Sequence, residues 1–227
     1  MTAAPEGDLD PEPELGWVQA EVRHEFPELR LLWVALAARP GPSPPAVSDR
    51  LRMLSDRFHG AQAIAMRQDP IPSAYRIFFR HIGLDPDETR TPLEAAAVER
   101  LVQGGFRSQN LVDDALLIAL TETGVPVWAL DADRLDGPLG IRQAHAGEGL
   151  GQGAAATPLP AGRLVVADAE SALAIVFEAP ALGYGVTPDT TRMALFAIQV
   201  AGVPAIHVEE ALWTAVSVLD PGSAAEA

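Results

Sequence analysis

Neither cysteine nor lysine occurs among the 227 residues. The missing thiols exclude disulfides, thiolate nucleophiles and cysteine-based metal sites. The missing ammonium groups exclude Schiff-base chemistry and a lysine general base. All 16 basic residues are therefore arginine, set against 31 acidic residues for a net charge of −15. Abundant Ala, Gly, Pro and Arg read as the imprint of a GC-rich genome. A pI near 4.6 argues against tight, unaided binding to a polyanion, because nucleic-acid affinity comes largely from phosphate neutralisation. A local basic patch can still persist in an acidic protein. No window holds 18 uninterrupted apolar residues, so no segment is expected to span a membrane. The opening "MTAAPEGDLDPEPELG" lacks the basic-then-apolar layout of a signal peptide, and a cytoplasmic protein is expected.

Familiar catalytic signatures are missing as well. There is no GxSxG elbow and no P-loop. "GEGLGQG" has glycines at dinucleotide-fingerprint spacing, but "AAATPLPAG" follows, and its two prolines forbid the helix that fingerprint needs; a flexible loop is expected. The five histidines are scattered. His145 with Glu148, or His207 with Glu210, could ligate a metal on paper, but without a converging cluster they read as surface polar groups, and neither metal nor cofactor is expected.

What is present is a chain with 48% apolar residues, enough to bury a real core. Residues 1–14 carry Glu6, Asp8, Asp10, Glu12 and Glu14 without a base and are expected to be a disordered tail. Residues 15–220 are expected to form one unit, and 221–227 a frayed end. "WVQAEV" and "LRLLWVALAA" read as strands, with "RHEFPE" turning between them. Helices are expected over "AVSDRLRMLSDRF", "IPSAYRIFFRHIG", "PLEAAAVERLVQG" and "NLVDDALLIALTETG". Thr91 reads as an N-cap ahead of Pro92, while Gly83, Gly124 and Pro126 read as helix stops. The strands "VWAL", "LGIRQA", "RLVVAD", "ALAIVFEA" and "RMALFAIQV" follow, then a helix with Val208, Leu212, Ala215 and Leu219 on one face. The order implies an α+β fold, with helices in the first half and a mixed or antiparallel sheet in the second.

Small polar signals recur in one order: Asn110, Asp114, Pro126, Asp131, Asp133, Gly137, Arg142, Gly147, Glu148. Asn110 and Asp114 lie one helical turn apart and share a face. Asn110 either caps that helix or touches a ligand. The two aspartates before Gly137 suit a tight turn. Arg142, at the end of an apolar strand, is the candidate for a buried ion pair with Asp114 or Glu148. In this spacing the run "FRSQNLVDDALLIALTETGVPVWALDADRLDGPLGIRQAHAGEGL" resembles the tRNA-editing domain of the phenylalanyl-tRNA synthetase beta subunit, and the small stand-alone proteins built from that domain. "LDPDETRTPLEAAAVERLVQGG" is similar to a segment of those stand-alone members.

The resemblance implies a hydrolase acting on mischarged aminoacyl-tRNA, with a side-chain pocket, polar groups that place a water, and a basic rim for the tRNA 3′ end. Substrate contacts are implied for Asn110, Asp114, Trp128, Arg142, Glu148, Glu178 and Leu182. By position, Trp128 stands where the synthetase domain carries a pocket histidine, and an indole fills space without acting as acid or base. Leu182 stands where the editing enzymes carry a glutamate that recognises the substrate hydroxyl, a hydrogen bond that an apolar side chain cannot make. Glu178 is the nearby carboxylate, either its replacement or a strand residue facing solvent. Arg76, Arg80, Arg90, Arg100 and Arg107 could form the basic rim, although five acids lie among them, so any tRNA contact is expected to be weak and salt-sensitive. Three functions stay open: an editing-like deacylase, a non-catalytic module binding an amino acid or small molecule, and a synthetase-associated interaction domain.

Overall fold

Proline fixes where three of the helices begin. The computed structural model describes residues 12–58, 60–151 and 156–220. It opens with short strands β1 (Glu14–Leu15) and β2 (Trp17–Val18), helix α1 (Ala20–Glu25) and the long strand β3 (Arg30–Ala37). Helices α2 (Pro45–Ser55), α3 (Gly60–Ala65), α4 (Pro70–His81), α5 (Pro92–Gln103) and α6 (Leu111–Thr123) follow. Strands β4 (Val127–Asp131), β5 (Gly140–Gln143), β6 (Gly149–Leu150), β7 (Thr157–Pro158), β8 (Leu164–Ala167), β9 (Ala172–Ile175) and β10 (Arg192–Gln199) lead to helix α7 (Ala205–Leu219). Pro45, Pro70 and Pro92 stand at the first helical position, where the ring presets φ and the missing N–H would be unpaired anyway. Thr91 and Glu94 close a reciprocal capping box on α5, and Gly104 and Gly124 end α5 and α6 in the left-handed region.

The fold is α+β, with helices concentrated in the first half and strands later. One antiparallel sheet has the order β1-β3-β10-β4, and a mixed sheet has the order β2-β5-β8-β9 with β2 parallel to β5. Strand β10 is buried from Met193 to Ile198, so both faces of the first sheet are covered, since successive side chains point to opposite sides. Helices α6 and α7 pack on each other, and α7 lies along β10 and β3. The expected face of α7 is buried at Val208, Leu212, Ala215 and Leu219. Phe196 and Trp128 pair across β10 and β4, and Phe177 from the second sheet's last turn packs on Trp128. The Tyr75 hydroxyl of α4 donates to the Ile198 carbonyl at 2.8 Å, which fastens α4 to the first sheet.

Three expected boundaries shift. The strand expected over "WVQAEV" is extended only at Trp17–Val18, and Ala20–Glu25 is helical. The ladder stops because the Gln143 N–H donates to the Gln19 side-chain carbonyl at 2.8 Å, so an amide side chain takes the place of the next backbone partner. The strand expected over "ALAIVFEA" ends at Ile175, and Val176 and Phe177 turn the chain. Part of the loop expected over "GEGLGQG" is strand β6, paired with β7; residues 152–155 lie outside the described residues. Of the acidic start, residues 1–11 lie outside the described residues, and Glu14 pairs with Trp33 of β3. Residues 221–227 also lie outside them.

Candidate functional site

The polar residues singled out along α6 and the following turn are the fasteners of a groove. It lies between residues 40–42, the start of α6 and residues 186–188, with a volume of about 540 Å³. Asn110 caps α6: its side-chain oxygen accepts from the Asp113 N–H at 3.0 Å, and its amide donates to the Asp113 carboxylate at 2.6 Å. Asp114, one turn on, is buried behind the groove. Its carboxylate accepts from the Ser43 hydroxyl at 2.5 Å, the Ser108 hydroxyl at 2.5 Å and the Gln109 N–H at 2.9 Å. One charged group thus ties the Pro-rich loop and the entry of α6 together. The Leu111 N–H donating to the Gly41 carbonyl adds a second tie.

The opposite wall is held by Asp131. Its carboxylate accepts from the Thr190 hydroxyl at 2.8 Å and from the Asp133 N–H at 3.1 Å. The Thr190 hydroxyl in turn accepts from the Thr187 N–H at 3.0 Å, which fixes the turn that presents Val186, Thr187 and Pro188 to the groove. Sequence reasoning missed Ser43, Ser108 and Thr190. Only a serine inside a Pro-rich loop and a threonine pair hinted at them, because their partners are as many as 71 residues away. Among the described residues lining the groove, Asp113 is the sole titratable side chain. Gln109, Asn110, Asp113 and Thr187 supply hydrogen-bonding groups for a polar ligand, against a proline-rich wall.

The other expected contact residues stand elsewhere. Trp128 is half-buried, stacked on Phe196 at 5.5 Å between centroids and tilted against Phe177 at 5.8 Å. Arg142 makes the expected ion pair with Glu148, bidentate at 2.8 and 2.5 Å, and not with Asp114. The guanidinium of Arg142, aided by the His145 N–H, holds the Glu148 carboxyl below its ordinary range against the opposing effect of burial. Glu178 is exposed and meets Arg163 at 3.3 Å. Leu182 is 74% exposed. The structure therefore brings Asn110 and Asp114 together at the groove and leaves Arg142–Glu148, Glu178 and Leu182 in the region of the second sheet. Of the arginines expected as a basic rim, Arg76 is committed to Glu94 at 2.5 Å and Asp87 at 2.7 Å. Glu94, its side chain 1% exposed, also binds Arg67 at 2.8 Å. This cluster neutralises itself. Among the described residues no group of three or more His, Asp or Glu is placed to hold a metal ion, and no helix is long and apolar enough to cross a membrane.

The profile of the B3/4 domain matches residues 74–210, more than half of the chain. The chain belongs to the B3/4 domain family. It is similar to the phenylalanine–tRNA ligase beta subunit of Xanthomonas campestris pv. campestris (strain 8004), 43% identical over 68 residues, which is 30% of this chain and 8% of that protein. The corresponding subunit of Leifsonia xyli subsp. xyli is 40% identical over 74 residues, 33% of this chain and 9% of the relative. That of Gloeobacter violaceus is 46% identical over 74 residues, 29% and 9%. The matched stretch is thus under a tenth of these relatives' length. The B3/4 match contains most of α4 and all of α6, β4, β10 and the turn at Thr187, whereas Pro40, Gly41, Pro42 and Ser43 precede it. One wall of the groove is therefore built by residues outside the matched B3/4 stretch.

Proposed function

We propose that this B3/4 chain takes the aminoacyl end of a charged tRNA in the groove between residues 40–42, the start of α6 and residues 186–188, and hydrolyses a mischarged ester there. The groove carries the reading. Its volume, about 540 Å³, suits an aminoacyl ester with part of a terminal nucleoside. Its walls are clamped by Asp114 and Asp131, members of the polar series shared with the editing domain. In this reading Asn110 and Thr187 orient the ester and the Asp113 carboxylate places the water, so positioning supplies most of the acceleration. With a net charge of −15 and Arg76 neutralised by two carboxylates, affinity for the tRNA body is low and falls with salt.

A second reading is favoured by one observation. Trp128, Phe196 and Phe177 fill one another's space, and Leu182 offers no acceptor. A module that binds an amino acid or aminoacyl group without turnover needs no more than the groove. Incubation with a panel of charged tRNAs, matched and mismatched, separates the two. Faster deacylation of at least one ester supports the hydrolase. Binding of the charged end without deacylation supports the module. Neither deacylation nor binding at low salt refutes both.

A further inference from the structure

Helix α6 has a recess at each end. Its start lines the groove, and its last turn, residues 121–124, lines a second cavity of about 430 Å³. At 1.5 Å per residue the two stand roughly 16 Å apart along the helix axis, and they share no lining residue. The second cavity is apolar inside. Met66 and Leu93 are buried against Leu120 at its base, with Ile71 and Pro72 in the wall. Proline also shapes its rim. Pro70 and Pro72 stand in the first turn of α4, and Pro204 is the N-cap of α7. None of the three has an N–H, so two helix starts that would ordinarily suit an anion lose donors here.

We propose that this cavity binds a small organic cation, a protonated amine carried on an aromatic or branched apolar body, with Asp69 as the partner of the ammonium group. The lining is rich in acceptors. Because α6 stops at Gly124, the carbonyls of Thr121, Glu122 and Thr123 have no donor within the helix, and they form the negative end of its dipole. The Thr121 and Thr123 hydroxyls donate to the Leu117 and Ala119 carbonyls, both at 2.7 Å. Glu122 is held by Arg50 at 2.8 and 2.6 Å, and His207 meets Glu210 at 3.2 Å. Asp69 differs from them. It precedes α4 without a side-chain cap bond, and of the acidic and hydroxyl side chains in the lining it is the one left without a partner among the described residues. An amine places its apolar body against Ile71 and Leu93 and its charge between Asp69 and the end of α6. A carboxylate of the same shape meets like charge and the wrong end of a dipole. The net charge of −15 favours the cation further.

The test needs no tRNA and is independent of the groove. 2-Phenylethylamine is titrated into the full chain at low salt and followed by ligand-observed NMR. 2-Phenylethanol serves as the neutral isostere and 3-phenylpropionate as the anion. The amine should bind about fivefold tighter than the alcohol, as suits an ion pair at a solvent-exposed carboxylate, and the carboxylate weakest of the three. Asp69→Asn keeps a competent residue at the start of α4, and the position is exposed. It should bring the amine down to the affinity of the alcohol and leave the alcohol unchanged. Asp113→Asn removes the carboxylate of the groove and should leave amine binding as it was. An amine bound no better than the alcohol overturns the proposal, as does an Asp69→Asn chain that binds the amine undiminished or loses both ligands alike. Amine binding abolished by Asp113→Asn would place the ligand in the groove and overturn it as well.

Discussion

Replacing Asp114 tests whether one buried carboxylate holds the groove together. Asp114 is 1% exposed and accepts from two hydroxyls and one backbone N–H. Hydrogen bonds to a charged acceptor contribute about 1.5–3 kcal/mol each, and a buried donor left without a partner costs a similar amount. Ser43 is partly buried and Ser108 exposed, and both can turn to water, so the three losses do not sum in full. Asp114→Ala should cost about 4 kcal/mol. For a chain of this length each kcal/mol lowers Tm by roughly 2–4 °C, so a drop of about 8–16 °C is expected. Asp114→Asn should behave differently. Its carbonyl can take the Gln109 N–H, and its amide can donate to both serine hydroxyls, which rotate to accept. A loss of about 1–2 kcal/mol is expected. Urea unfolding, followed by fluorescence, gives both values. If Asp114→Ala costs less than about 1 kcal/mol, or the two variants are equal, the carboxylate is not the fastener and the argument fails.

Other outcomes follow from the same geometry. Arg142→Ala leaves Glu148 unpaired in a mostly shielded site and should cost about 3 kcal/mol, read by thermal unfolding. The folded Glu148 carboxyl is held below its ordinary range, first by Arg142; its contribution is therefore full above the unfolded value and lost as pH falls below about 4. Glu148→Gln should flatten the stability profile in that acid window and leave its shape at neutral pH unchanged. Gly140→Ala should destabilise by about 2–3 kcal/mol, because a Cβ there would stand 2.1 Å from the Trp17 ring and 2.5 Å from the Trp17 carbonyl oxygen; no loss in a denaturant titration would count against that packing. Trp128→Ala should cost about 3 kcal/mol through the lost Phe196 and Phe177 contacts. Unchanged stability with collapsed tRNA binding would show instead that Trp128 stacks on a base.

Periodicity and punctuation made most of the helices legible, since a cap and a 3.6-residue stripe act within a few residues of chain. Thr91–Pro92 started α5 as expected, Gly124 stopped α6, and the apolar stripe of α7 faced inward. The Arg142–Glu148 pair was also within reach, its partners only six residues apart. The polar series from Asn110 to Glu148 pointed to the B3/4 family. It did not say that Asn110 and Asp114 face the groove while Arg142 and Glu148 stand on the second sheet. Local readings failed where a distant group decided. Gln19 ended β2 by capping Gln143, and Phe177 turned out of β9 to pack on rings of α4 and β4.

By itself the sequence determined the elements with short-range causes: proline starts, glycine stops, amphipathic stripes, the excluded thiol and amine chemistries, and the family. Only the tertiary structure decided which polar groups share a site. The contacts that do so span long stretches of chain, 71 residues between Ser43 and Asp114 and 59 between Asp131 and Thr190. Such pairings are set by how sheets and helices pack, and they leave no periodic trace in the chain. That is why Asp114 and Asp131 could be recognised as significant before it was visible that each of them clamps one wall of a groove.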